Sequence, residues 1–321
     1  MNIRNIIGGA ILASTVVLGS PARAADIVIG VGPWATINAT AHVLQQVIEQ
    51  YFGLTVALQY GNNPTLFAGM DRGTIQIDPE VWLPDQGNLQ HLYVDKKKTV
   101  VMDKHAVIGF QGICVDKAHA EKYHISTVFD LTNPKIATVF DVSGNGRGDM
   151  WIGVPGWEST NIERIRAKSY GYDQTMNLNQ SDETVAYAAL GNAIRTGKPW
   201  LGFCDSPHYI FAEFKNDIVV LKEPPYDESK WHVKQPSEDP SWLQDSSAPT
   251  AWPPVHLNLD YSKSLEKTHP ELLPLVRNFA LNTDVVSGFA YALVVQKQDP
   301  TAFAKDWVTK NKHLVMNWLS K

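Results

Sequence analysis

Thr74-Ile75-Gln76-Ile77-Asp78-Pro79-Glu80-Val81-Trp82-Leu83-Pro84 is the stretch that decides how the chain is read. Thr74 to Val81 is rich in β-branched residues and is stopped by Pro84 and Gly87, so it predicts a strand that ends on Trp82. Upstream, Ile27 to Gly32 reads as a short buried strand, and Pro33-Trp34-Ala35-Thr36 as the turn after it. Ile37, Ala41, Leu44 and Ile48 then recur at helical spacing. Leu54 to Tyr60 supplies a second strand, Gly61 to Pro64 a turn, and Thr65 to Asp71 a short helix capped near Thr65. A strand, helix, strand, helix, strand order implies parallel pairing and a doubly wound α/β sheet. Ligands of such sheets bind beyond the carboxyl ends of the strands, so Trp82, and Trp34 in the first loop, are placed to line a site.

Met1 to Ala24 has a basic start at Arg4, an apolar run from Ile6 to Gly19 and a small-residue exit at Ala22-Arg23-Ala24, which predicts a cleaved signal peptide over 1–24 and a periplasmic destination. No Cys stands at that exit, which argues against a lipid anchor. The remainder is long for one hydrophobic core, so two lobes are expected: 25–111 and 253–321 in the first, 112–252 in the second, with a Trp- and Pro-rich loop over 223–254. A net charge of -5 without a basic block argues against nucleic acid as a partner. Cys114 and Cys204 lie in separate strand-like runs; in an oxidising compartment they pair or remain two buried thiols, and their positions alone leave both open.

In the second lobe, Asp141, Ser143, Asn145, Arg147 and Asp149 stand at positions 1, 3, 5, 7 and 9 of an EF-hand-like loop, with Gly146 at position 6. Position 12 is Ile152 rather than Glu, which leaves a structural Ca²⁺ and a metal-free Asx and Gly turn both open. Val154-Pro155-Gly156-Trp157 leads into a helix for which Ser159 or Thr160 is the expected N-cap. Asp182 to Thr196 predicts a second helix, and Trp200 to Cys204 a strand whose exit carries Asp205-Ser206-Pro207-His208. Trp231, Trp242 and Trp252 lie in the long loop, Val255 to Leu259 reads as a return strand, and Trp307 and Trp318 sit at core spacing in the helical tail.

No G-x-S-x-G, H-E-x-x-H or P-loop motif occurs, and a triad built from Asp205, Ser206 and His208 has only sequence adjacency behind it. The ordered set is more informative. Trp82-Leu83-Pro84 at a strand end, Pro155-Gly156-Trp157 after the Gly-rich loop, and Gly197-Lys198-Pro199 before a strand and Ser206-Pro207-His208 together resemble the glycine betaine and proline betaine substrate-binding proteins of ABC importers. The resemblance implies a two-lobed type II periplasmic binding protein, expected as a monomer, which closes on an N-methylated ammonium compound and passes it to an inner-membrane permease. It also implies a cage of Trp side chains, with Trp82 and Trp157 on two cage positions, and main-chain N–H groups of Glu158 and Ser159 facing a ligand carboxylate. Asp205 replaces the family's third Trp. Trp34 and Trp252 are the candidates to complete the cage, and Asp205, with Glu80 if it faces inward, to complement a cation. Glycine betaine, trimethylamine N-oxide, choline and proline betaine fit such a site, and no cofactor is required. The alternatives are an amino acid such as histidine, held through Asp205 and the Trp residues, and an exported hydrolase.

Overall fold

Ile27–Val31 forms β1 and Val56–Tyr60 forms β2, paired in parallel from Ile27 with Val56 to Val31 with Tyr60. The computed structural model describes residues 25–320, so the expected signal peptide at 1–24 lies outside the described residues. Between the two strands runs α1 (Ala35–Phe52), and its predicted face, Ile37, Ala41, Leu44 and Ile48, is fully buried. Each buried Ile or Leu contributes roughly 1.5–3 kcal/mol, so this stripe, rather than helix propensity, holds α1 against the sheet. The next helix, α2 (Asn63–Arg72), starts two residues ahead of expectation because Asn62, not Thr65, is its cap: the Asn62 side chain accepts the Thr65 N–H at 3.1 Å. β3 (Ile77–Leu83) follows, parallel to β1.

The remaining strands are β4 (Val100–Asp116), β5 (Gly148–Trp151), β6 (Met176–Asn179), β7 (Leu201–Ser206), β8 (Ile218–Val220) and β9 (Val255–Ser262). Their order is β2-β1-β3-β9-β4-β7-β5-β6, with β8 on β4. The return strand β9 is antiparallel to both β3 and β4, so the parallel order read from the sequence holds on the flanks and the centre is antiparallel.

β4 joins the lobes by changing partner along its length. It pairs with β9 from Val100 to Gly109 and with β7 from Phe110 to Val115, two residues before the expected crossing at Gln111 and Gly112. A Cβ at Gly109 would stand 2.2 Å from the Ser206 carbonyl oxygen, so only glycine lets the two strands pass this closely. Cys114 and Cys204 are joined in a disulfide between β4 and β7, with Cα atoms 5.7 Å apart, which answers what the sequence left open.

Helices α3 (Glu158–Tyr170) and α4 (Glu183–Thr196) cover the second lobe. The chain ends in α5 (Thr283–Val294), α6 (Pro300–Lys310) and α7 (Lys312–Trp318). Trp318 is buried in the first lobe's core, with Trp307 stacked on it at 6.0 Å, as expected. On α5, Ala290 joins the apolar cluster that packs the second lobe, with Tyr291 and Val294 against it, so this helix touches both lobes. The 223–254 segment is largely loop, held to α3 where Lys168 donates to the backbone carbonyls of Gln244 and Ser246.

Candidate ligand-binding cleft

Three indoles from both lobes meet where the strands end: Trp34, Trp82 and Trp157 line one narrow cleft between the lobes. Trp34 is the residue before α1, and its ring packs so closely over β1 that a Cβ on Gly32 would fall 2.0 Å from it. Trp82 closes β3 and packs on Val255, Leu257 and Trp34. Trp157 caps α3 and meets Trp34 edge-on, ring centroids 6.1 Å apart at 89°, with Trp151 behind it at 6.3 Å.

Glu80 does not face the cleft. Its carboxylate accepts the Trp34 indole N–H at 3.0 Å and the Thr36 and Thr40 hydroxyls at 2.7 and 2.9 Å, so it holds Trp34 from behind. Burial pushes the Glu80 carboxyl up to about 7, against the opposing pull of those three donors. Trp252 is also elsewhere. Its indole N–H donates to Glu163 at 2.8 Å and the Arg166 guanidinium lies 5.4 Å from its ring centre, within a buried cluster of Glu163, Arg166 and Glu223. It braces α3 against the long loop and does not line the cleft, because buried charges there need its N–H.

The rest of the lining is polar apart from Phe203, and its charged members are acids. Asp85, Glu158, Glu183 and Asp205 contribute to it, and among the described residues no Lys or Arg does. Asp205 stands opposite Gln111 in the β4–β7 register and contacts the Tyr187 hydroxyl at 3.5 Å. Burial pushes it up to about 7, with His208 pulling down and Glu183 pushing up. Glu158, also raised to about 7 by burial, accepts the Asn63 side-chain amide at 2.6 Å, a hydrogen bond from the first lobe to the second. Asp85 accepts from Gln111 at 2.7 Å and is held well above the carboxylate range by burial and by Glu158 and Asp205. The expected N-cap on Ser159 or Thr160 is corrected: the helix begins earlier, at Glu158, and the Thr160 hydroxyl donates back to the Val154 carbonyl at 2.8 Å.

Residues 25–310 match the family described as the substrate binding domain of the ABC-type glycine betaine transport system. The chain belongs to that family. It is 30% identical over 145 residues to the glycine betaine/proline betaine-binding periplasmic protein of Escherichia coli, covering 44% of each chain. The same-named protein of Salmonella typhimurium is 30% identical over 116 residues, or 36% of this chain and 35% of the relative. The matched part thus spans well under half the length of these curated relatives. Among solved structures, the lactococcal protein in its closed form with glycine betaine has a TM-score of 0.68 at 19% identity, covering 92% of this chain and 99% of that one. The Borrelia burgdorferi glycine betaine and L-proline binding protein has a TM-score of 0.70 at 18% identity, covering 92% and 97%. At such identities the solved structures establish the fold, two-lobed and of the type II binding-protein kind.

Within this family member, several lining residues carried no sequence signal. Asn63, Asp85, Gln86, Gln111 and Glu183 reach the cleft from turns, a hinge strand and helix ends, where polar residues are ordinary caps, and Phe203 from within β7. The Asp205, Ser206 and His208 trio does not assemble: the His208 ring lies 3.3 Å from Glu183 through Nε2 and accepts the Ile210 N–H through Nδ1. In the 141–149 loop, Asp141 accepts the backbone N–H groups of Gly144, Asn145 and Gly146, and Asn145 and Asp149 both receive the Asn177 amide, at 3.1 and 3.0 Å. The Ser143 hydroxyl sits 3.5 Å from Asp141, and the Arg147 guanidinium is anchored on the Asp173 and Gln174 carbonyls. The Asp141 oxygens are thus engaged by the turn's own N–H groups, and among the described residues no group of three or more His, Cys, Asp or Glu side chains is placed to hold a metal ion.

Proposed function

We propose that this chain is the periplasmic solute-binding protein of an ABC importer, which captures a small N-methylated ammonium compound between its lobes and delivers it to a membrane permease. One observation carries the reading: indoles from separate elements of both lobes, Trp34, Trp82 and Trp157, line a single cleft otherwise lined by acids and amides. A quaternary ammonium has no N–H to donate, so aromatic faces are its natural partners, at roughly 0.5–2 kcal/mol each. Three faces, together with burial of the methyl groups, supply much of the roughly 8 kcal/mol that micromolar binding requires. The relatives point the same way: the Escherichia coli protein carries glycine betaine and proline betaine in its name, and a fold neighbour was solved with choline. Glycine betaine, trimethylamine N-oxide, choline and proline betaine are the compounds to test.

Periplasmic placement draws support from those relatives' names, and among the described residues no helix is long and apolar enough to cross a membrane. The reading needs no catalysis, and the pairing of His208 with Glu183 instead of Ser206 favours it over a hydrolase. It leaves the 141–149 loop as either a structural Ca²⁺ site or a metal-free Asx and Gly turn, which chelation separates. Isothermal titration against the four compounds and histidine decides the main point. Saturable binding of a methylated ammonium, weakened by Trp82→Ala more than by Asp205→Asn, is expected. Binding of histidine alone, lost in Asp205→Asn, would replace the cage by an amino-acid site, and no binding at all would end the proposal.

A further inference from the structure

We infer that the cleft selects a methylated ammonium compound without a carboxylate, and that its own acids reject zwitterionic betaines. This deepens the reading above and rests on it. Asp85 from the loop after β3, Glu158 and Glu183 from the first turns of α3 and α4, and Asp205 from the end of β7 line one small space without a Lys or Arg among the described residues. Asp85 feels both Glu158 and Asp205, so three carboxyls from three elements converge. A ligand carboxylate placed there would be desolvated with no Lys or Arg to meet it, and would be repelled by each acid that ionises as pH rises.

One donor at the start of α3 is already taken. Glu158, in the first turn of α3 and on the cleft lining, accepts from its own backbone N–H and from Asn63. The chain thus supplies from within the carboxylate that a betaine would bring. What the lining leaves open is three acceptors against one donor: Asp85 Oδ1, Gln86 Oε1 and Gln111 Oε1, and the Trp157 indole N–H, are buried there without a partner, a set that suits a single hydroxyl better than a carboxylate. A hydroxyl would donate to such acceptors. An N-oxide oxygen would instead need a proton from Asp85, whose carboxyl is pushed well up by burial and by its acidic neighbours. Glu183, His208 and Tyr187 complete the set of titratable groups facing Asp205 and the cleft, and His208 is the basic one among them.

The experiment is titration calorimetry with choline, trimethylamine N-oxide, tetramethylammonium, glycine betaine and proline betaine at pH 6 and pH 8. At least one carboxylate-free compound is expected to bind roughly 100-fold or more tightly than glycine betaine, the size of discrimination that like-charge juxtaposition gives. Asp205→Asn and Glu158→Gln, each checked for folding by its melting curve, are expected to narrow that gap by about tenfold. Glycine betaine binding as tightly as the carboxylate-free compounds would overturn the inference while leaving the transport reading intact; no saturable binding of any compound would overturn the transport reading instead. A gap unchanged in both folded variants would also overturn it, because the acids would not then be its cause. The two kinds of oxygen separate by pH. Tightening toward pH 8 marks a permanent cation with a hydroxyl, which favours ionised acids. Weakening marks an N-oxide that needs the Asp85 proton, and an affinity flat across this range would refute the role given to the carboxyls.

Discussion

Glu80→Gln isolates how the aromatic wall is held. The Glu80 carboxylate is buried and accepts three hydrogen bonds, from the Trp34 indole and the Thr36 and Thr40 hydroxyls. An amide offers one acceptor oxygen: set where Oε2 stands it keeps Trp34 and Thr36 and leaves Thr40 to the Thr36 carbonyl at 2.9 Å, whereas set where Oε1 stands it leaves the Trp34 indole N–H without an acceptor. Leaving that buried donor unsatisfied costs about 1–3 kcal/mol. The urea-unfolding free energy should fall by up to that amount. If Trp34 is the side chain released, the cage loses one face, worth about 0.5–2 kcal/mol, and the dissociation constant for the ammonium ligand rises about 2- to 30-fold. The assay pairs chemical unfolding with titration calorimetry on the wild type, Glu80→Gln and Trp34→Phe, the last keeping a ring but deleting the N–H. Both variants should show weakened binding. Lower stability with an unchanged dissociation constant would refute the claim that Glu80 acts through Trp34, and no change in either quantity would refute the hydrogen-bond account itself.

Three further predictions follow from the same contacts. Trp252→Phe removes the donor to Glu163 while leaving the cleft lining intact, so it should lower stability by about 1–3 kcal/mol in a melting experiment and leave ligand affinity unchanged. Asp78, Glu80, Glu158, Asp205 and Glu223 are all raised by burial from ordinary carboxyl values near 4 to about 7. The folded chain then holds protons that the unfolded chain has released between those values, so stability is greatest near pH 4–5 and declines as pH rises through 7, which melting across pH 5–8 will show or refute. Chelation should lower the melting temperature and added Ca²⁺ restore it if Asp141, Asn145 and Asp149 hold an ion; an unmoved melting curve would leave the turn's own hydrogen bonds as the full account.

Much of this protein was legible in order along the chain. The buried stripe of α1, the parallel β1–β2–β3 unit, the helix between Asp182 and Thr196 and the strand exits carrying Trp82 and Asp205 all follow from side-chain period and turn chemistry, which are properties of neighbouring residues. Helix starts were less legible. Asn62 and Trp157 displaced the expected caps because a cap depends on which backbone N–H groups the turn presents, not on the nearest Ser or Thr.

What tertiary structure alone decided was which of many similar side chains share a space. Trp34 and Trp252 looked equivalent as loop tryptophans; one is pulled to the cleft wall by Glu80 on a strand 46 residues away, the other into a buried ion cluster by Glu163, 89 residues away. Asp85, Glu158, Glu183 and Asp205 are scattered in sequence and become one acidic lining only because β3, β7, α3 and α4 end at the same gap between the lobes. Local pattern determined where the elements form, since the chain's period and caps act over a few residues; the site's charge was settled by long-range packing, since burial and neighbouring carboxyls exist only once the lobes meet.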